Sequence, residues 1–497
     1  MRERVKVPPS QVVIDYVFQP RLDLDRQDSF EPLMDLNRAH VVMLADQRIV
    51  PRDAAEHLMR VLEEVRGAGA GAIRWDPALE EVYYNLEVHI LAKTGSAIGG
   101  HLHTGRSRND LFAALNRMSA RRHLLQIAGW LQETRQTLLT LADRHAGTIV
   151  TGYTHMQAAQ PTTLGHYFHA LAQALERDDF RLQQAYAVVN RCPLGACAFN
   201  TTGFSIDRGH LADLTGFDGL VENSIDAVAT RDYAPQILSA LAILGTNLSR
   251  LAQDLYIWAT DEFGWIEVGD DVAATSSIMP QKKNPITLEH IRGKAGHLIA
   301  AVVGALTAQK GVLYSHLRDI SFESTYPLGE GFRQAEAMLR LTTATLATLR
   351  VRGDKAAARA AENFSTVTEL ADVLVRECGL SFREAHGLVG AAVGQLADQG
   401  GRTGDLTLEL LARMAQDRLG RRLGLSPQSL AKALSPAENV AVRAGVGGPA
   451  PIEVRRSVGA SRDRMEAHRT WWEQQATHLA RARERLDRAA ADLVKPA

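Results

Sequence analysis

Cysteine is nearly missing from this chain: Cys192, Cys197 and Cys378 are the only three among 497 residues. Thiols so few and so spaced make neither a disulfide framework nor a metal cluster of familiar pattern, which suits a reducing compartment. Nowhere do about 18 apolar residues run unbroken, so no membrane-spanning helix is expected. Residues 1–20 mix charges with short apolar stretches and show no signal-peptide core. An excess of either charge is also absent. The 56 Lys and Arg against 57 Asp and Glu leave a formal net charge of −1, so no overall field exists to draw in nucleic acid or an anionic membrane. The cytoplasm is the expected setting. Aromatics make up only 6%, while Ala and Leu recur throughout, a balance that favours closely packed helices over sheets. There is no internal repeat, Walker loop or strand-led GxGxxG. The GAGAGA run at 67–72 follows a helical pattern and reads as a linker rather than a phosphate cradle.

What is present is an ordinary globular composition, 45% hydrophobic and 23% charged, in a chain too long for one compact core. Helical periodicity dominates. Over 53–66, Ala54, Leu58, Val61, Leu62 and Val65 share one stripe, and Gly67 is the expected stop. Residues 113–145, 227–258 and 284–306 are longer apolar-periodic stretches, of the length that suits a helical bundle. The long helices are expected to end near Gly353, and 462–493, rich in Arg and Glu, reads as a solvated amphipathic helix. The expected architecture is all-α, with three domains at 1–105, 106–355 and 356–497.

Three polar segments interrupt this pattern: HTGRSRND at 103–110, GYTHMQAAQPTT at 152–163 and TSSIMPQKKNPITLE at 275–289. The third is the most specific. Asn284 before Pro285 reads as a helix N-cap, placing Glu289 just over one turn inside. The stretch before it is a loop able to close over a ligand, with Lys282 and Lys283 supplying positive charge. A surface turn with solvated lysines would explain KKNP alone, but not the full string. By itself His155 reads as a structural histidine, and 107–110 reads equally well as a helix cap. His101 and His103 have no third ligand in register, so no metal is expected.

The third string resembles the signature loop of the fumarase/aspartase superfamily. HTGRSRND, GYTHMQAAQPTTLGH, NSIDAVATRDY at 223–233 and ELADVLVRECGLSFREAHGLVG at 369–390 are similar to the argininosuccinate lyase branch, in the expected order. The resemblance implies a homotetramer with shared active sites, a small dicarboxylate substrate, no cofactor, and elimination of fumarate from an N-substituted aspartate. That reaction takes a proton from the carbon beside a carboxylate, so the carbanion needs donors and cations, and the departing nitrogen needs a proton. By resemblance the loop serine is the base: Ser276, with Ser277 its close competitor. Lys282 and loop amides would stabilise its alkoxide. His155 would be the partner acid–base group, paired with Glu289. Ser107, Arg108, Asn109, Thr154, Met279, Lys282 and Asn284 match the binders of the succinyl group.

The chain departs from the branch on the amine side. Leu111 follows SRND where the branch has Gln, and residues 21–25 have no clear counterpart of its Asn-Ala-Ser. In HLRDISFES, 316–324, the branch's Tyr, Gln and Lys become His316, Ser321 and Ser324; Thr275 stands where it has Gly. The expected leaving group is therefore an amine or aminocarboxylate, as in an ethylenediaminedisuccinate lyase, with His316 and Arg318 meeting an additional carboxylate. Argininosuccinate itself is the alternative. A silent helical scaffold is disfavoured by the intact Ser276, His155, Lys282 and Glu289, and adenylosuccinate lyase by the near-complete HTGRSRND and GYTHMQ.

Overall fold

The computed structural model describes residues 4, 5 and 7–495, and it is 71% helical. Five long helices form the centre: α1 (Arg108–Arg144), α2 (Leu164–Val189), α3 (Tyr233–Trp258), α4 (Ile286–Gln309) and α5 (Pro327–Ala347). α1 packs on α2 and α5, while α3 packs on α2, α4 and α5. Leu131, Leu138, Phe168, Leu182, Leu241, Leu244, Leu298 and Met338 are wholly buried in one shared core. A second core lies under the N-terminal helices around Leu33, Met43, Leu58 and Leu86. A third unites residues between Leu370 and Ala433.

The sequence places the helices correctly and misplaces several of their ends. The helix expected at 53–66 runs Arg52–Ala68, and its stop is Gly69 at φ +76° rather than Gly67, because only the residue past the last turn needs the left-handed conformation. The stretch 227–258 is two helices, Ser224–Ala229 and α3. Pro235 explains the break. It has no N–H, and its ring clashes with the carbonyl of residue i−4, so it is tolerated only in a first turn. α3 restarts two residues before it, and the Arg231 carbonyl accepts from the Ala234 N–H at 2.9 Å and from Gln309 Nε2 at 3.1 Å. The Arg- and Glu-rich tail is not simply solvated. It belongs to α6 (Pro451–Val494), whose Val454, Val458 and Trp472 join the central core and whose Leu486, Ala490 and Leu493 join the N-terminal one. Trp472 Nε1 donates at 2.7 Å to buried Asp179, which also takes Arg135 Nη1 at 2.6 Å.

Between α1 and α2 the chain forms an antiparallel hairpin, β1 (Ile149–Thr154) and β2 (Gln157–Thr163). The loop expected ahead of α4 contains a two-residue ladder that pairs Ala274 with Asn284 and Thr275 with Lys283. Among the described residues no helix is long and apolar enough to cross a membrane.

Candidate active site

The N-terminus of α1 shows why 107–110 has this composition. Ser107 Oγ accepts the Asn109 N–H at 3.3 Å, and the Asp110 carboxylate accepts the Ser107 N–H at 3.1 Å. These are the reciprocal bonds of a capping box. Asp110 also accepts the N–H groups of Gly195 and Cys197, both at 2.9 Å. Burial pushes its carboxyl up to about 6, opposed by those backbone donors. The cap holds Arg108 and Asn109 at the rim of a cavity of about 280 Å³, shared with Arg21, Glu81, His316, Arg318 and Ser321. Arg108 Nη1 is committed to Glu81 at 2.6 Å and Glu80 at 3.0 Å, and its guanidinium stacks on Tyr84. Asn109 Nδ2 donates to the Ala198 carbonyl at 3.0 Å.

The opposite wall is a single π-turn, Asp319–Glu323, a geometry that re-aims side chains and recurs at functional sites. It leaves the Ser321 hydroxyl buried and without a partner among the described residues, and the same holds for His316 Nδ1 and for Nε and Nη2 of Arg231. The His316 ring donates to the Val228 carbonyl. Burial pushes the imidazole down to about 4, aided by the charges of Arg231, Arg318 and Arg108. It is thus neutral near pH 7, with Nδ1 buried and without a partner among the described residues. Arg318, which lines the same cavity, carries a fixed positive charge there.

The serine loop stands apart from this cavity. Ser276 Oγ accepts backbone N–H groups from Met279 at 3.0 Å and Ile278 at 3.4 Å; Ser277 makes no side-chain hydrogen bond among the described residues. Lys283 is tied to Glu267 at 3.0 Å and Asp270 at 2.6 Å, so of the two lysines only Lys282 is left unpaired among the described residues. Asn284 is not the N-cap. It lies in the ladder, and Pro285 takes the cap position without a side-chain bond. Glu289 sits in the first turn of α4, exposed, and accepts from Tyr256 Oη at 3.3 Å.

Thr154 and His155 are at the exposed hairpin tip. Thr154 pairs with Gln157, so His155 and Met156 form a two-residue loop, and both have positive φ, 53° and 58°. Primed hairpin turns require this conformation, and residues other than Gly adopt it at some cost. Within one chain His155 has no hydrogen bond to Ser276 or Glu289. One chain therefore presents three separate clusters: the cavity, the serine loop with Glu289, and the hairpin tip.

Sequence reading missed Arg21, Glu80, Glu81, Ser321 as a cavity residue, Arg231 and Tyr256. Arg231 lies inside the NSIDAVATRDY motif, a signal that was available. The others are ordinary helix or loop residues until the chain folds.

The sequence matches a lyase family over residues 48–300 and the argininosuccinate lyase C-terminal family over residues 364–441. Argininosuccinate lyase 1 of Shouchella clausii is 44% identical over 455 residues, covering 92% of this chain and 91% of that protein. Argininosuccinate lyase of Methanosarcina barkeri is 39% identical over 471 residues, covering 94% and 93%. Among solved structures, EDDS lyase in complex with formate superposes with a TM-score of 0.89 at 32% identity, over 99% of this chain and 97% of that one. With this fold and these motifs, the chain belongs to the argininosuccinate lyase-like branch of the fumarase/aspartase superfamily and is a carbon–nitrogen lyase that releases fumarate.

Proposed function

We propose that the enzyme reversibly eliminates fumarate from an N-substituted L-aspartate whose leaving amine itself carries a carboxylate, an aminopolycarboxylate of the ethylenediaminedisuccinate kind. The observation that carries this reading is the donor set at the cavity. Arg318 lines it, with Arg21, which is also paired to Asp25 at 2.6 Å; Arg231 is near enough for its charge to act on His316, and two of its nitrogens and the Ser321 hydroxyl have no partner among the described residues. Buried donors without acceptors are costly, and a carboxylate satisfies them. His316 Nδ1, an acceptor, suits an N–H of the amine.

In this reading Ser276 removes the carbon proton. The Met279 and Ile278 amides aimed at its Oγ stabilise the alkoxide, and the unpaired Lys282 adds charge. This favours Ser276 over Ser277. His155 supplies acid–base assistance and Glu289 orients it, while Ser107, Arg108, Asn109, Thr154, Met279, Lys282 and Asn284 hold the fumarate end. These groups meet only if copies of the chain contribute together, so we place the enzyme in a homotetramer in the cytoplasm. An exposed face of α4 supports assembly: Ile299, Val303 and Leu306 are half exposed, beside Gly293 and Gly296, where a Cβ would meet nothing within 4 Å. Small and apolar residues let helices of neighbouring copies approach closely.

The names of the relatives favour a second reading, argininosuccinate as substrate. Fumarate release, followed by ultraviolet absorbance across ethylenediaminedisuccinate, argininosuccinate and adenylosuccinate, separates the two. The highest kcat/KM is expected for the aminopolycarboxylate. A higher value for argininosuccinate would overturn the proposed leaving group.

A further inference from the structure

The base of the serine loop carries a charged clasp. Its ladder has only two residue pairs, and isolated pairings of that length are marginal in water. Thr275 and Lys283 form the last pair, so Ser276 and Lys282 each lie one residue beyond it, at opposite ends of the loop. Whatever fixes that pair fixes the spacing between these two side chains.

Lys283 Nζ bridges Glu267 Oε1 at 3.0 Å and Asp270 Oδ1 at 2.6 Å. The second oxygen of Glu267 takes Arg352 Nη2 at 2.7 Å. Glu267 is itself held in a short antiparallel pairing, Ile266–Glu267 with Arg350–Val351, and the Arg352 N–H donates to the Trp265 carbonyl at 2.8 Å. Trp265 is buried in the central core. The clasp thus ties an exposed loop, with Ile278 83% exposed, to a rigid anchor beyond α5.

We propose that Lys283 is a positioning residue: through Glu267 and Asp270 it holds the stem of the loop so that Ser276 and Lys282 keep a fixed mutual placement while the tip between them moves. This rests on the reading of Ser276 as the base. Lys283 touches no substrate in this role. Its charge matters only through its two carboxylates, so arginine replaces it and an apolar side chain of similar length does not.

The test compares Lys283→Met and Lys283→Arg in the full-length protein, by hydrogen exchange of the 274–284 peptide without substrate and by fumarate release. In Lys283→Met, exchange is expected to quicken about tenfold within that peptide alone, with kcat falling by a similar factor and KM held within about twofold. Lys283→Arg should match the wild type in both. Unchanged exchange in Lys283→Met, or equal losses in the two variants, would overturn the clasp. If the wild-type enzyme releases no fumarate from any substrate, the proposed function fails, while the exchange data still judge the clasp.

Discussion

At Ser276 two backbone amides point at one hydroxyl, a geometry that favours the charged form of that oxygen over the neutral one. Ser276→Ala is expected to bring turnover below detection with the fold and assembly intact, as activity and scattering measured on the same sample would show. Ser277→Ala should retain most activity; the reverse pattern would move the base one residue along. His155→Asn should lower kcat by about 10²–10⁴, the usual contribution of general acid–base catalysis, with the change visible in the pH profile. The candidate roles of these residues were legible in the sequence because their order along the chain is itself the signal. The commitment of Arg108 to Glu80 and Glu81 was not, since both carboxylates lie nearly thirty residues away and meet it only in the folded chain.

Elements were more legible than their joints. Long apolar stripes announced α1, α3 and α4, whereas the break at 230–232 depended on one proline, and the N-cap of α4 moved because Asn284 had a strand partner instead. The hairpin that carries His155 depends on a joint of this kind. Gly165, at the start of α2, lies so close to the end of α1 that an added Cβ would meet Ala146 Cα at 2.5 Å and Ala146 N at 2.7 Å. Backbone on both sides cannot yield cheaply, and overpacking of this sort costs about 1–3 kcal/mol or more. Gly165→Ala should lower the melting temperature and lower kcat by displacing the hairpin tip. A scanning calorimetry trace and a rate measurement check the two halves of that expectation.

For the whole molecule the proposed sharing of sites makes a quantitative prediction. Inactive Ser276→Ala and His155→Asn chains, unfolded together and reassembled in equal amounts, should recover activity, because some sites then receive both intact residues. If those residues come from different chains and mixing is random, about a quarter of the wild-type rate should return. No recovery would mean that one chain supplies both. Acid should also weaken the protein. Burial pushes His103 and His316 down to about 4 and also lowers His40 well below its ordinary range, against an ordinary value near 6.5. The unfolded chain therefore binds more protons between pH 4 and 6.5, and stability is lost as pH falls through that window. Burial lowers His89, His145 and His169 in the same sense. Asp110, raised from 3.8 to about 6, acts in the opposite sense, gaining stability as pH falls from 6, and so do Asp25, Asp35, Glu81, Glu87 and Asp178, whose carboxyls burial also raises. The melting temperature is expected to drop steadily from pH 7 to pH 5.

The sequence by itself determined the helical class and the order of the polar segments, because periodicity and motif spacing are properties of neighbouring residues, and the resemblance of those segments to a known family implied the lyase chemistry. Tertiary structure decided which of those residues share a space. It put His316, Arg318 and Ser321 opposite Arg108 across a gap of some two hundred residues, set Lys283 against Glu267 and left Lys282 without a partner among the described residues, and buried one stripe of a tail that reads as polar. Partners, burial and protonation depend on what folds against a side chain from elsewhere in the chain, and no local pattern encodes that.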